Sequence, residues 1–187
     1  MTMTHTPVSV VVLLGSLRAE SYNRRIAERL QAEAPAGVTV EIAAGLAELP
    51  FYNEESDGAQ APVAVRALRE QVARADRVLA VTPEYNGTMP AVLNNAIDWL
   101  SRPFGAGAIK SKPFAVVGAT PTKFGGKWSH EDARRSATIA GADVVPDLVL
   151  SHSTLDADVF ENAEAFNLFL AALTALAEHR PVAVDAA

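Results

Sequence analysis

The chain contains 187 residues, of which 49% are hydrophobic and 20% are charged, and its formal net charge at pH 7 is −6. This composition supplies a core for one domain and excludes disorder of the whole chain, while the acidic excess argues against binding to nucleic-acid phosphates. The absence of cysteine excludes disulfides, thiolate nucleophiles and iron–sulfur clusters, and no apolar stretch approaches the ~20 residues of a membrane span.

Strands and helices are predicted to alternate along the chain. Runs of β-branched and aliphatic residues predict five strands, the last irregular at Pro146: residues 8–14, 38–42, 77–82, 113–119 and 143–151. Apolar residues at three- and four-residue spacing predict five helices. The first has its apolar positions at residues 26, 27, 30 and 34 and stops at Pro35, and the others cover residues 62–75, 91–100, about 129–140 and 160–178. A long polar loop follows the second strand and runs through residues 57 and 58.

This alternation predicts a single α/β domain over residues 1–187, an open, doubly wound parallel sheet with helices on both faces. Five such strands suit the flavodoxin-like order 2-1-3-4-5. In sheets of this kind, ligands bind at the carboxyl ends of the strands, where the strand order reverses. The loops after strands one, three and four are therefore the candidate ligand-binding segments.

The loop after the first strand reads GSLRAESYN and spans residues 15–23. It contains neither the G-x-G-x-x-G dinucleotide fingerprint nor the P-loop pattern of nucleoside triphosphatases. Instead it places hydroxyls, an amide and a guanidinium at the start of a helix, where backbone N–H groups favour a phosphate. These side chains are Ser16, Arg18, Ser21 and Asn23. A simple N-capping role for Ser21 or Asn23 is an equally good interpretation of this loop alone.

The loop after the third strand reads TPEYNGTMPAVLNNAIDWLSRP and spans residues 82–103. Proline, glycine and asparagine around Tyr85 let the main chain run close to a flat ligand, and Tyr85 itself can lie beside a heteroaromatic ring. Glu84 places a carboxylate at the mouth of the predicted cleft. We interpret Ile97 and Trp99, in the helix that follows, as core residues.

Together these two loops resemble the NADPH-dependent FMN reductase family, flavodoxin-like flavoenzymes that include chromate, quinone and azo-dye reductases. The family's usual forms are G-S-x-R-x-x-S-x-N and the more specific P-E-Y-N-x-S-x-P-G-x-L-K-N-A-I-D-W, and the strand KPFAVVGAT followed by FGG supports the resemblance. Thr88, Ala91 and Asn94 stand where the family usually has Ser, Gly and Lys. Residues 121–124 are less family-like, and substrate preference is expected to differ there.

The resemblance implies a site for tightly but non-covalently bound FMN. The residues that match the family's phosphate donors are Ser16, Arg18, Ser21 and Asn23. The residues that match the segment lining the isoalloxazine ring are Pro83, Glu84, Tyr85 and Asn86. A third wall is expected from Thr120, Gly125 and Gly126.

The implied reaction transfers hydride from NADPH or NADH to the flavin and then electrons to a quinone, azo dye, chromate, ferric chelate or free flavin. Because the cofactor carries the hard step, no catalytic side chain is assigned, and Tyr85 and Asn86 only line the ring. Backbone N–H groups of the 85–87 turn are expected to face the electron-accepting edge of the flavin and stabilise negative charge there. Preference for NADPH would need a cation near its extra phosphate. The candidates are Arg18, Arg24, Lys123 and Lys127.

Two other classes of protein remain open at this stage. A flavodoxin-type electron carrier would share the fold and FMN but have no nicotinamide site. The arginine in the first loop argues against it, because such carriers typically have a Thr- and Gly-rich phosphate loop. A receiver-like signalling module needs acidic residues at the end of the first strand, where this chain has Leu13, Leu14 and Gly15.

A homodimer or homotetramer is predicted, because members of this family are generally dimers or dimers of dimers. The helix over residues 91–100 has one apolar stripe, Trp99 lies off that stripe and could serve a second face, and the final helix is apolar on more than one face. The stripe consists of Leu93, Ile97 and Leu100. Charged residues expected to fix the register of such a contact are Glu84, Asp98 and Arg102.

No secretion signal is expected in residues 1–7, so a cytoplasmic protein is predicted. The chain has four histidines, and no pair has the spacing that would direct two imidazoles at one metal. They are His5, His130, His152 and His179, and we interpret them as surface or capping residues. A small-molecule acceptor is the expected partner, with no metal, nucleic acid or membrane.

Overall fold

In a computed structural model that describes residues 6–180, the chain forms one five-stranded parallel sheet in the order 2-1-3-4-5. The strands are β1 (Val8–Leu14), β2 (Val38–Ile42), β3 (Arg77–Val81), β4 (Pro113–Thr120) and β5 (Asp143–Ser153). The helices are α1 (Tyr22–Ala32), α2 (Val63–Arg74), α3 (Ala91–Leu100), α4 (Lys127–Ile139) and α5 (Ala163–Glu178). The predicted flavodoxin-like fold is confirmed.

Two hydrophobic cores lie on opposite faces of the sheet. Side chains of α1 and α5 cover one face, and those of α2, α3 and α4 cover the other. Successive β1 residues alternate between the two cores, as the pleat requires: Val10 and Val12 belong to the first, Val11 and Leu13 to the second. Burial on both faces explains why the strands appear in the sequence as continuous apolar runs.

Most apolar side chains of α3 and α5 are covered within the chain. The predicted α3 stripe is at most 1% exposed, and Trp99 is fully buried, with its Nε1 donating to the carbonyl of Pro50 at 2.8 Å. The interpretation of Ile97 and Trp99 as core is confirmed, and the second face of α3 that carries Trp99 is covered by this chain itself. In α5, Phe166 and Phe169 are buried, and Leu168 is the large apolar side chain of this helix that is mostly exposed.

The ends of the elements depart from prediction by at most three residues, for local reasons. Helix α5 begins at residue 163 rather than 160 because the side chain of Asn162 caps it, accepting from the backbone N–H groups of residues 164 and 165 at 2.9 and 3.2 Å. Helix α4 begins at residue 127, directly after Gly126 in a left-handed conformation (φ 95°). The polar loop after β2 contains three short 3₁₀ turns, residues 46–48, 54–56 and 58–60.

Strand β5 is interrupted by a bulge at the irregularity predicted for Pro146. Phe114 of β4 pairs with Val144, but Val116 already pairs with Val149, so three extra residues of β5 loop out. The guanidinium of Arg134, from α4, satisfies the carbonyls of this bulge: those of residues 145 and 148 at 3.0 Å and that of Pro146 at 2.9 Å. The bulge is thus stabilised by specific hydrogen bonds and is a defined part of the edge strand.

Backbone ladders continue past the ends of β1 and β3 and draw the following loops together. The N–H of Gly15 donates to Val81 at 2.9 Å, and the N–H of Thr82 donates to Val117 at 3.0 Å. A side chain at position 15 would overlap the Thr82 hydroxyl, so glycine is required where the two loops diverge. Among residues 6–180, none of the helices has both the length and the apolarity to cross a membrane.

Candidate cofactor site

The loop after β1 has the character of an anion site at the N-terminus of α1. Ser16 is buried at the end of β1, and Ser21 is the N-cap of α1, its Oγ accepting from the N–H of Asn23 at 3.2 Å. The first turn of α1 contains no acidic residue. Arg18 is exposed, and its guanidinium donates to the carbonyl of Glu20 at 3.0 Å. The N-capping interpretation is therefore correct for Ser21, and the positive end of the helix remains open to an anion.

Asn23 joins this loop to β4. Its buried side chain makes two hydrogen bonds to the backbone of Ala119: Oδ1 accepts from the N–H and Nδ2 donates to the carbonyl, both at 2.9 Å. These bonds hold the start of α1 against the end of β4. The Asn23 amide thus positions the loop, in addition to any contact with a ligand.

The loop after β3 contains a tight turn from Tyr85 to Thr88. The two end residues exchange backbone hydrogen bonds at 3.0 and 3.1 Å. The two central residues, Asn86 and Gly87, have φ values of 53° and 73°, the signature of a type I′ turn. Within residues 6–180 their N–H groups have no hydrogen-bond partner, and Tyr85 is 47% exposed. The turn therefore presents an aromatic ring and two free amides at the carboxyl edge of the sheet.

Four side-chain contacts, which we call the loop clamp, fix this segment to the first turns of α4. The Glu84 carboxylate accepts from the N–H groups of Trp128 and Ser129 at 3.0 and 3.2 Å. The other three contacts are Ser129 Oγ to the Pro83 carbonyl at 2.8 Å, Thr88 Oγ1 to Asp132 at 2.6 Å, and His130 Nε2 to the Thr82 carbonyl at 3.1 Å. Glu84, predicted to line a ring, thus has its carboxylate at the N-terminus of α4.

The third predicted wall lies at the end of β4. Thr120 is buried and its Oγ1 lies 3.0 Å from that of Thr122. Gly125 and Gly126 are buried with φ values of 63° and 95°. A Cβ at position 125 would lie 2.5 Å from the Ser151 carbonyl oxygen. Glycine is required here because the backbone is left-handed and closely packed.

Two aromatic side chains follow this wall. Phe124 and Trp128 are each 43% exposed, and their ring centroids lie 4.6 Å apart. The backbone N–H of Trp128 is bonded to the Glu84 carboxylate, so the backbone that carries the Trp128 ring lies against the residue that precedes the Tyr85 turn. We call these two side chains the aromatic ledge.

His130 is a site residue that sequence reasoning missed. It is 1% exposed, so its interpretation as a surface or capping residue is wrong, and burial lowers its pKa to about 4. His179 pairs with Asp143 at 2.9 Å, and His5 lies outside the described residues. The sequence signal was spacing, because His130 precedes the buried Ala133 and Ala137 by three and seven residues on one face of α4.

Such a sheet, with an open helix N-terminus after β1 and an aromatic turn after β3, defines a flavodoxin-like protein with a site for a phosphorylated, ring-containing cofactor. Residues 8–156 match the profile of the family described as NADPH-dependent FMN reductase, and the chain belongs to this family.

Curated relatives and solved structures agree with this assignment. The chain is 44% identical over 128 residues to a quinone reductase of Pseudomonas putida, covering 68% of each protein. It is 35% identical over 157 residues to a 2-hydroxy-1,4-benzoquinone reductase of a Burkholderia species, covering 81% of this chain and 84% of that protein. The structure of FerB, a flavoenzyme NAD(P)H:(acceptor) oxidoreductase from Paracoccus denitrificans, superposes with a TM-score of 0.78 at 29% identity, covering 91% of this chain and 97% of FerB.

The chain is therefore an FMN-dependent NAD(P)H oxidoreductase of the quinone reductase type. This excludes the receiver-like module and favours an enzyme over a simple electron carrier. The residues present fit FMN: an acid-free helix N-terminus with two serine hydroxyls suits a phosphate, and the free amides of the turn after β3 suit the polar edge of a flavin ring.

Proposed function

We propose that FMN binds with its phosphate at the N-terminus of α1 and its ring against the 83–87 segment, and that the reduced enzyme passes electrons to a quinone. The observation that carries this proposal is the turn at Asn86 and Gly87, which has two free amides and is held in place by the loop clamp. This turn lies at the same edge of the sheet as the open N-terminus of α1. Bound FMN would accept hydride from a reduced nicotinamide and return electrons to the acceptor.

The protein's own contribution is binding and electrostatic preorganisation. Ser16, Ser21 and Arg18 bind the phosphate, with Arg18 supplying the formal charge. The amides of Asn86 and Gly87 stabilise the negative charge that develops on the ring during reduction, and the clamp holds them in place before the reaction. Thr120, Gly125 and Gly126 form the third wall, where the main chain can approach the flavin closely.

A quinone acceptor is favoured by the relatives that carry this name and by the aromatic ledge, whose two half-exposed rings, inclined at 53° to each other, offer aromatic faces to a planar acceptor. Azo dyes, chromate, ferric chelates and free flavin are the competing acceptors. An absorbance spectrum of the purified protein with added FMN, followed by oxidation rates with each acceptor, tests the proposal. A protein that does not bind FMN, or that reduces a quinone no faster than free FMN does, would contradict it.

NADPH is the proposed hydride donor. Its extra phosphate needs a cation, and Arg18 and Lys123 are exposed, whereas Lys127 has Glu131 as a partner at 3.7 Å. Replacement of Lys123 by Ala should raise the KM for NADPH and leave the KM for NADH unchanged. Since this donor is an intracellular reductant, we also propose a cytoplasmic location, to be tested by cell fractionation.

A homodimer or homotetramer is proposed through the exposed groove between α3 and α4. Phe104 and Ile139 line it and are 78% and 70% exposed, and Asp98 and Arg102 lie in the same groove. Glu84, by contrast, is already bonded to α4. Light scattering should give the mass of two or four chains, and Ile139→Glu should reduce it. A wild-type monomer with full activity would contradict this assembly.

A further inference from the structure

The point at which the chain leaves β3 is fixed by a buried histidine. The Thr82 carbonyl faces His130 Nε2 at 3.1 Å, while the other ring nitrogen, Nδ1, lies 2.6 Å from Ser151 Oγ. Thr82, His130 and Ser151 belong to the β3 end, α4 and β5, so one imidazole connects three elements. All three meet at Thr82, the first residue of the segment that carries the Tyr85 turn.

The hydrogen-bond partners determine which ring nitrogen carries the proton. A carbonyl oxygen only accepts, so the Nε2 that faces Thr82 must be the protonated nitrogen. The Nδ1 of a neutral ring then accepts, and the Ser151 hydroxyl donates to it. Burial lowers the pKa of His130 to about 4, so the ring is neutral at physiological pH. The Thr82 carbonyl therefore selects the Nε2–H tautomer, and the Ser151 hydroxyl satisfies the other ring nitrogen.

The surrounding backbone is shaped to admit this ring. A Cβ at Gly118 would overlap the Thr82 carbonyl oxygen and lie 2.8 Å from His130 Nε2. A Cβ at Gly126 would lie 3.1 Å from the same nitrogen. Two glycines thus leave the space in which the imidazole reaches the Thr82 carbonyl.

We propose that His130 is a positioning residue for the flavin: as the neutral Nε2–H tautomer held by Ser151, it fixes the Thr82 carbonyl and thereby the placement of the Asn86 and Gly87 amides. This inference rests on the proposed FMN site. Because His130 is 1% exposed, it acts through the backbone of the 82–87 segment. It therefore tunes the affinity and the midpoint potential of the bound flavin.

Three variants separate positioning from general packing. His130→Gln keeps a donor for Thr82 and an acceptor for Ser151, His130→Leu keeps only the volume, and Ser151→Ala removes the hydroxyl that orients the ring through Nδ1. His179→Gln, which changes a histidine paired with Asp143 at the opposite end of β5, is the matched control. Each protein is titrated with FMN by fluorescence, and the midpoint potential of the complex is measured.

The His130→Leu variant should weaken FMN binding by about tenfold, the effect of losing one buried hydrogen bond, and shift the midpoint potential to a more negative value. The Gln variant should restore both quantities, and the His179 control should leave them unchanged. Nitrogen-15 NMR of histidine-labelled wild-type protein should show the Nε2–H tautomer at pH 7, because Nε2 faces the Thr82 carbonyl. Ser151→Ala should keep this tautomer but weaken FMN binding, because the ring loses the hydroxyl that orients it.

An Nδ1–H or doubly protonated ring in the wild type overturns the inference whether or not FMN binds. Unchanged affinity and potential in the Leu variant overturn it while leaving the FMN site of the wild type intact. If the Leu variant does not fold, Ser151→Ala decides, because unchanged FMN affinity in that variant overturns the inference too. A wild-type protein that does not bind FMN contradicts the proposed site instead.

Discussion

Glu84 is expected to stabilise the protein chiefly as a cap on α4. The N-cap position of α4 is Gly126, which has no side chain to accept a hydrogen bond, so the first amides of the helix depend on a carboxylate 44 residues earlier in the chain. Charge-assisted hydrogen bonds contribute about 1.5–3 kcal/mol, and a negative charge at a helix N-terminus contributes about 0.3–1 kcal/mol.

Two substitutions at Glu84 separate the contribution of the hydrogen bonds from that of the charge. Glu84→Ala removes both hydrogen bonds and the charge, and should lower the free energy of unfolding by about 2 kcal/mol. Glu84→Gln keeps one accepting oxygen and should cost about 0.5–1 kcal/mol. For a domain of this size, these losses correspond to decreases in Tm of about 4–8 °C and about 2 °C.

Urea unfolding followed by circular dichroism, with and without FMN, measures the effect. Glu131→Ala is the matched control, since Glu131 lies on α4 but makes only an exposed pair with Lys127 at 3.7 Å, and its loss should cost less than about 0.5 kcal/mol. If Glu84→Ala is no more destabilising than Glu131→Ala, the capping role is refuted.

The remaining predictions concern the phosphate, the buried histidine and the aromatic ledge. Arg18→Ala should weaken FMN binding by about 1.5–3 kcal/mol, measured by fluorescence titration, and unchanged affinity would remove Arg18 from the phosphate site. The His130 pKa is about 4 in the folded protein against 6.5 for an unperturbed histidine, so the unfolded state binds the proton first as the pH falls. The stability contributed by the neutral ring is therefore complete above pH 6.5 and should fall by about 3 kcal/mol by pH 4. The Gln variant at position 130 should lose this part of the pH dependence, and an identical pH profile would contradict the assignment. Trp128→Ala should raise the KM for a quinone severalfold but leave turnover with ferricyanide, which needs no ring contact, unchanged; equal losses with both acceptors would exclude a binding role for the ledge.

The features that the sequence predicted correctly depend on local patterns. Continuous β-branched runs identify the buried strands, and the strand order then places the loops containing Ser16 and Tyr85 at one edge. Ser21 was predictable as an N-cap because the capping contact spans only two residues. These signals need nothing beyond the neighbouring sequence.

The features that it did not predict depend on contacts between distant residues. Glu84 could be recognised as a carboxylate near a cleft, but its bonds to Trp128 and Ser129 cross 44 and 45 residues. The His130 bond to Thr82 crosses 48 residues, and Asn23 reaches Ala119 across 96. A single sequence shows the type of each residue, whereas the packing of the helices on the sheet determines which distant residue it contacts.

The bulge in β5 also has a consequence for behaviour at high concentration. An edge strand with a regular row of unpaired N–H and C=O groups can recruit a strand from another molecule and so seed aggregation. Here Pro146 supplies no N–H, three residues leave the ladder, and Arg134 already binds the carbonyls of residues 145, 146 and 148. The bulged part of the β5 edge, around residues 145–148, is thereby unsuited to strand addition.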